Sequence, residues 1–174
     1  MAQTITFQQS IVPYAFTWSS GSVTIKRVSD GSVLWQGSDS NIFAFADRTI
    51  DPSSMGSLPR PTRFGGNGSD VLTGANGVDI FDGGAGNDVY DGRNGNDRVA
   101  FHGGSTDYHF IRNSNGDVAV TGISGAGLGD GSDVVLNTIE FLQFADKTLA
   151  RNDLRLFTGT SGANSMYGTS GNDT

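Results

Sequence analysis

Residues 65–100 read GGNGSDVLT GANGVDIFD GGAGNDVYD GRNGNDRVA, one nine-residue phrase repeated four times without insertion or loss. The units 65–73, 74–82, 83–91 and 92–100 share glycine at position one and again at position four. Aspartate returns at position six as Asp70, Asp79, Asp88 and Asp97, and a large apolar residue at position eight as Leu72, Phe81, Tyr90 and Val99. A fixed period of this kind is the mark of stacked, repeating architecture, and it separates the segment from a Gly/Asn/Asp linker, which has no reason to keep register. The first six residues of each unit suit a tight turn and the last three a short strand, so two units make one coil of a parallel solenoid.

Further along the chain, the phrase restarts at residues 159–167 (GTSGANSMY) and 168–174 (GTSGNDT), with Asn164 and Asp173 at position six. The chain stops at position seven of a repeat, so it is expected to be a piece of a longer protein. A second, weaker repeat flanks the first: YAFTWSSGSVTI from Tyr14 resembles YHFIRNSNGDVAV from Tyr108, and FADRTI at Phe45 resembles FADKTL at Phe144, at offsets of 94 and 99 residues. Both copies alternate apolar with polar residues around Gly or Asn-Gly, the pattern of short antiparallel strands and hairpins. Residues 51–64 hold three of the four prolines and read as a loop or linker. The expected class is all-β: a short parallel β-roll at 65–100 between small antiparallel β-rich segments at 1–50 and 101–158, with a second, truncated block at 159–174.

Composition narrows the chemistry. With 26 glycines in 174 residues and 36% apolar content, a large close-packed core is not expected. A net charge of −7 with scattered Lys and Arg argues against nucleic acid or an anionic membrane surface. No run of 18 apolar residues is present, so no membrane span is expected, and the N-terminus MAQTITFQQS lacks the basic and apolar regions of a cleaved signal. There is no cysteine for a disulfide or thiolate site. Of the 18 acidic residues 17 are aspartate, and only Glu140 is glutamate, a bias toward turns and oxygen-ligand sites.

In a coil of two nonapeptides, units n and n+2 stack at about the 4.8 Å spacing of neighbouring strands, which brings Asp70 beside Asp88 and Asp79 beside Asp97. Bare carboxylates about 4–5 Å apart repel by a few kcal/mol at an effective dielectric near ~20, and ordering glycine backbone costs more. A divalent cation between the turns reverses the sign of that electrostatic cost. Calcium fits best, because it accepts six to eight carboxylate and carbonyl oxygens in flexible geometry, whereas magnesium demands a strict octahedron.

The four in-register copies resemble the calcium-binding nonapeptide repeats of the RTX (repeats-in-toxin) proteins secreted by Gram-negative bacteria. The segment GDGSDVVLNTIEFLQFADKTL from Gly129 looks like the β-rich stretch that often follows such blocks. What the resemblance implies is two complete Ca2+ sites: the carbonyls of Gly66 and Gly68 with Asp70, facing those of Gly83 and Ala85 with Asp88; and Ala75, Gly77 and Asp79, facing Gly92, Asn94 and Asp97. Ala75 and Arg93 depart from glycine at position two yet keep a carbonyl, while Asn164 removes a charge from the distal block. Asp173 is the ligand expected there. One or two edge sites are expected in addition, for instance Asp88 with the degenerate turn HGGSTD at residues 102–107.

The resemblance also implies folding driven by calcium outside the cell, export by the type I route and a secreted or cell-surface location on a Gram-negative bacterium. The expected partners are calcium ions, neighbouring modules of the same chain and a surface polysaccharide. The parent protein is expected to be a secreted protease, lipase or epimerase, for which this chain is an accessory module, or an adhesin binding carbohydrate or ice. No catalytic constellation is visible: there is no HExxH and no GxSxG, and His102 and His109 lie in a strand-like flank. Asp51-Pro52 lacks the surroundings of the family's self-cleaving Asp-Pro bond and reads as a turn. Tyr14, Trp18 and Trp35, at alternating strand spacing, are expected in the flank core.

Overall fold

The computed structural model of the chain describes residues 2–55, 59–123 and 129–154, and over these it is all-β. The N-terminal strands are β1 (Thr4–Thr6), β2 (Tyr14–Ser19), β3 (Ser22–Arg27), β4 (Val33–Ser38), β5 (Ile42–Ala44) and β6 (Thr49–Ile50). Then come β7 (Arg63–Phe64) and one strand per nonapeptide: β8 (Val71–Thr73), β9 (Ile80–Asp82), β10 (Val89–Asp91) and β11 (Arg98–Ala100). The chain continues through β12 (Tyr108–Arg112), β13 (Val118–Gly122), β14 (Ser132–Val135), β15 (Phe141–Gln143) and β16 (Thr148–Ala150). Among the described residues the helical pieces are short 3₁₀ turns at Pro52–Met55, Ser105–Asp107 and Arg151–Asp153, and none is long or apolar enough to cross a membrane.

Alternate nonapeptides build opposite walls. β8 pairs in parallel with β10, and β10 with β14; β7, β9, β11 and β15 form the second parallel ladder. Registers such as Val89 on Val71 and Arg98 on Ile80 set neighbouring repeat rungs 18 residues apart, the two-unit coil that the period implies. Position eight faces inward from both walls: Leu72, Phe81, Tyr90 and Val99 are at most 2% exposed, and Val135 and Leu142 continue the filling. The rings of Phe81 and Tyr90 meet edge to face at 6.1 Å. Each such side chain contributes about 1.5–3 kcal/mol of burial, which gives the glycine-rich turns an apolar spine to hang from.

The roll does not end with the fourth repeat. The antiparallel hairpin β12–β13 interrupts it, after which β14 and β15 return as two more rungs. The sheets therefore run through the molecule in the orders β12-β13-β14-β10-β8 and β16-β15-β11-β9-β7-β2-β3-β4. In the hairpins period-two alternation does what it should: Val23 and Ile25, and likewise Val118 and Val120, are fully buried, with half-buried Thr24 and Ala119 between them. Gly21, at φ +73, makes the β2–β3 turn.

The weak sequence repeat is a structural duplication. β1 pairs in parallel with β5 as β11 does with β15, and the hairpins β2–β3 and β12–β13, the pairs β3–β4 and β13–β14, and β5–β6 and β15–β16 correspond in turn. In each copy the aspartate of the FAD motif ties down a preceding loop. Asp47 accepts from the Ser10 hydroxyl and the Ile11 amide, and Asp146 from the Ser105 hydroxyl and amide.

Candidate metal centre

Each turn between rungs carries its position-six aspartate against the turn above it. The amide of Asp70 donates to Asp88 Oδ1 and that of Asp79 to Asp97 Oδ1, both at 2.8 Å. Asp88 and Asp97 are 1% and 0% exposed, so the carboxylates of the second coil are enclosed by the stack. Position-one glycines permit the close approach. A Cβ on Gly74 would stand 2.7 Å from the carbonyl of Gly92 and 2.8 Å from Asp79 Oδ2, and one on Gly65 would collide with the carbonyl of Gly83.

The expected donors are thereby brought together coil on coil: Gly66 to Asp70 lie against Gly83 to Asp88, and Ala75 to Asp79 against Gly92 to Asp97. The amide of Ala85 donates to the Gly66 carbonyl and that of Gly77 to the Asn94 carbonyl, each leaving a second lone pair on the oxygen. In the first coil the position-two amides close on their own aspartates, Gly66 to Asp70 Oδ2 and Ala75 to Asp79 Oδ2, at 2.7 Å. The second coil differs, because Gly84 and Arg93 have φ of +86 and +62. The Arg93 amide is turned to Asp91 Oδ1, and Asp97 Oδ2 is left buried without a hydrogen-bond partner. Asp173 lies outside the described residues.

Burial is the main cause of the electrostatics. It pushes the Asp88 carboxyl up to about 6, with the Asp70 charge adding to the effect, and raises Asp97, which also faces Asp79 and Glu140. Enclosed carboxylates with raised pKa and an orphaned oxygen want a cation. No three carboxylate or imidazole groups form a metal cluster among the described residues, so at a site here the further oxygen donors would be backbone carbonyls.

Downstream the structure departs from the expected edge site. The HGGSTD turn is not beneath Asp88; residues 105–107 form a 3₁₀ turn held by Asp146. The next rung of that ladder is Asp133, whose Oδ1 accepts the Asp88 amide at 2.8 Å, and the next rung of the other is Glu140, whose Oε2 accepts the Asp97 amide at 2.7 Å. Asp133 is 2% exposed, and burial, with Asp88 and Asp130 nearby, pushes its carboxyl up to about 8. The signal was present as GDGSDVV, with Gly129 and Gly131 three places and one place before Ser132, the residue that precedes Asp133. The intervening hairpin hides it, setting the pairs 45 and 43 residues apart instead of 18. At the upstream end, Asp79 meets Thr62 Oγ1 at 3.3 Å and the Arg63 guanidinium at 3.4 Å, so a fixed cation closes that ladder.

Other polar groups brace the roll. Arg48 donates to the Gly65 and Asp82 carbonyls and pairs with the Asp82 carboxylate at 2.7 Å. His102 bridges Asp130 (3.2 Å) and Asp82 (3.5 Å), and the hydrogen bonds to those two, Asp130 first, raise it to about 10. Tyr14 is core, while Trp18 donates to the Pro61 carbonyl at 2.6 Å beneath the Arg60 guanidinium.

The family model described as the RTX calcium-binding nonapeptide repeat (4 copies) matches residues 64–99 and 157–174. No curated protein matches the chain. Asp133 and Glu140 fall outside both matched segments.

Proposed function

We propose, for a chain that carries RTX calcium-binding nonapeptide repeats, that calcium is the switch that folds it, and that the switch operates after export from the cell. The observation that carries this reading is the pair of aspartate ladders, Asp70 over Asp88 and Asp79 over Asp97, whose second members are enclosed and form no ion pair among the described residues. Gly66, Gly68, Gly83 and Ala85 would supply carbonyls to the first ladder, and Ala75, Gly77, Gly92 and Asn94 to the second. In calcium-poor cytosol, sites of the weak extracellular kind, with dissociation constants on the order of 10⁻⁴–10⁻³ M, stay empty and the like charges keep the coils apart. Outside, binding to the folded form alone contributes about 2.7 kcal/mol per site at 100 times the dissociation constant. Two coupled sites then decide the equilibrium, and an unfolded chain is what a narrow export channel of the type I kind requires. The module would give a larger secreted or surface protein a stable, calcium-locked segment.

The test is a calcium titration followed by far-UV circular dichroism, with magnesium as the control. Calcium should produce a cooperative gain of β signal, and Asp79→Ala with Asp88→Ala should remove most of it. Full β signal in excess chelator, or an equal response to magnesium, would overturn the reading.

A further inference from the structure

Glu140 is the single glutamate of the chain, and its carboxylate takes the Asp97 amide as Asp97 takes that of Asp79, the place an aspartate holds in every repeat. The turn before it, residues 137–140, is too short to be a nonapeptide turn, and the longer side chain carries the carboxylate to the Asp97 amide. Three further features converge at this point. Asp97 is 0% exposed and its Oδ2 has no hydrogen-bond partner. The Thr138 carbonyl occupies the place that the Gly92 carbonyl holds one coil earlier: a Cβ on Gly92 would stand 2.7 Å from it, as a Cβ on Gly74 would from Gly92, and would collide with Asp97 Oδ2. Neither Asp97 nor Glu140 forms an ion pair among the described residues, whereas the other end of the same ladder is neutralised by Arg63.

We propose that the Asp97 and Glu140 carboxylates and the Thr138 carbonyl form a further calcium site, at the seam between the last nonapeptide and the C-terminal flank. Two carboxylates and a carbonyl on a space kept open by glycine are a donor set for a hard divalent cation, and water completes the shell. The site rests on the reading of the repeats as calcium ligands and extends it to residues without the repeat motif. Its effect is to fasten β15, and with it β16 and the Arg151 contacts to the Ile139 and Gly116 carbonyls, onto the roll only when calcium is present.

Glu140→Gln keeps an oxygen for the Asp97 amide but removes the charge, and Glu140→Lys supplies the fixed cation that Arg63 provides at the other end. Bound calcium per chain is counted by equilibrium dialysis on the full 174-residue protein and on both variants, β signal is followed by circular dichroism against calcium concentration, and melting midpoints are taken in saturating calcium. Each variant should bind one ion fewer than the parent. Glu140→Gln should melt lower than the parent in calcium and need more calcium to gain its β signal, whereas Glu140→Lys should gain that signal at lower calcium than Glu140→Gln. Equal ion counts in the parent and in Glu140→Lys would overturn the seam site while leaving the repeat sites standing. A parent chain that takes up no calcium would overturn both.

Discussion

At the scale of the residue, the decisive quantity is the protonation of carboxylates enclosed by the stack. Burial raises Asp88 to about 6 and Asp133 to about 8, from an unfolded value near the usual one for aspartate. A raised folded pKa means that the native form holds the proton more tightly, so in chelator this contribution to stability is complete at about pH 4 and is lost as pH rises through 6 and 8. His102, raised to about 10, works in the same direction, since its contribution is complete below about 6.5 and lost as pH rises toward 10. In chelator the chain should therefore gain part of its β signal as pH is lowered from 8 to 5. In saturating calcium the ligands must be ionised, and over the same range the melting midpoint should fall. Circular dichroism across that range in chelator and in calcium will show opposite trends with pH, and trends of the same sign would remove the carboxylate ladder as the seat of the calcium response. The sequence displayed Asp70, Asp79, Asp88 and Asp97 because a nine-residue period is visible by eye. Asp133 and Glu140 were harder to see, because an inserted hairpin and a shortened turn break the count while leaving the strand register intact.

At the scale of the element, the two-wall construction makes length discrete. Rungs of one wall are 18 residues apart, so removing residues 74–91 deletes one full coil and leaves every surviving strand on its own wall. Removing only residues 83–91 would send Val99 and its successors to the opposite wall, setting β11 against β8 and β14 against β9 in place of their own partners β9 and β10. The first deletion should fold in calcium with a somewhat lower midpoint, and the second should show no cooperative transition; circular dichroism melts of the two distinguish them. Turn and strand were both legible in the nonapeptide, since glycine and asparagine precede β-formers in each unit. The role of Arg63–Phe64 was not, because a two-residue strand after three prolines carries no period, and only its pairing with Phe81 and Asp82 makes it a rung.

At the scale of the whole molecule, the roll and the C-terminal flank share one core. Leu72, Phe81, Tyr90 and Val99 pack in a single cluster with Val118, Val135, Leu142 and Phe144. A chain ending at residue 100 would expose that face, and losing such side chains costs about 2–5 kcal/mol each, more than two calcium sites return. That truncation should stay without β signal at calcium concentrations that fold the full chain, and a normal titration would show that the four repeats fold unaided. The eight-stranded sheet also has a mechanical side. Its backbone hydrogen bonds run across the row of strands, so tension applied along that row opens them in sequence, like a zip, and does not load them all in shear. The thinnest seam is where β7 meets β2, a single residue pair of Ala15 with Arg63. Rupture under such a pull should begin at that joint, leaving the repeat coils beyond it whole for longest.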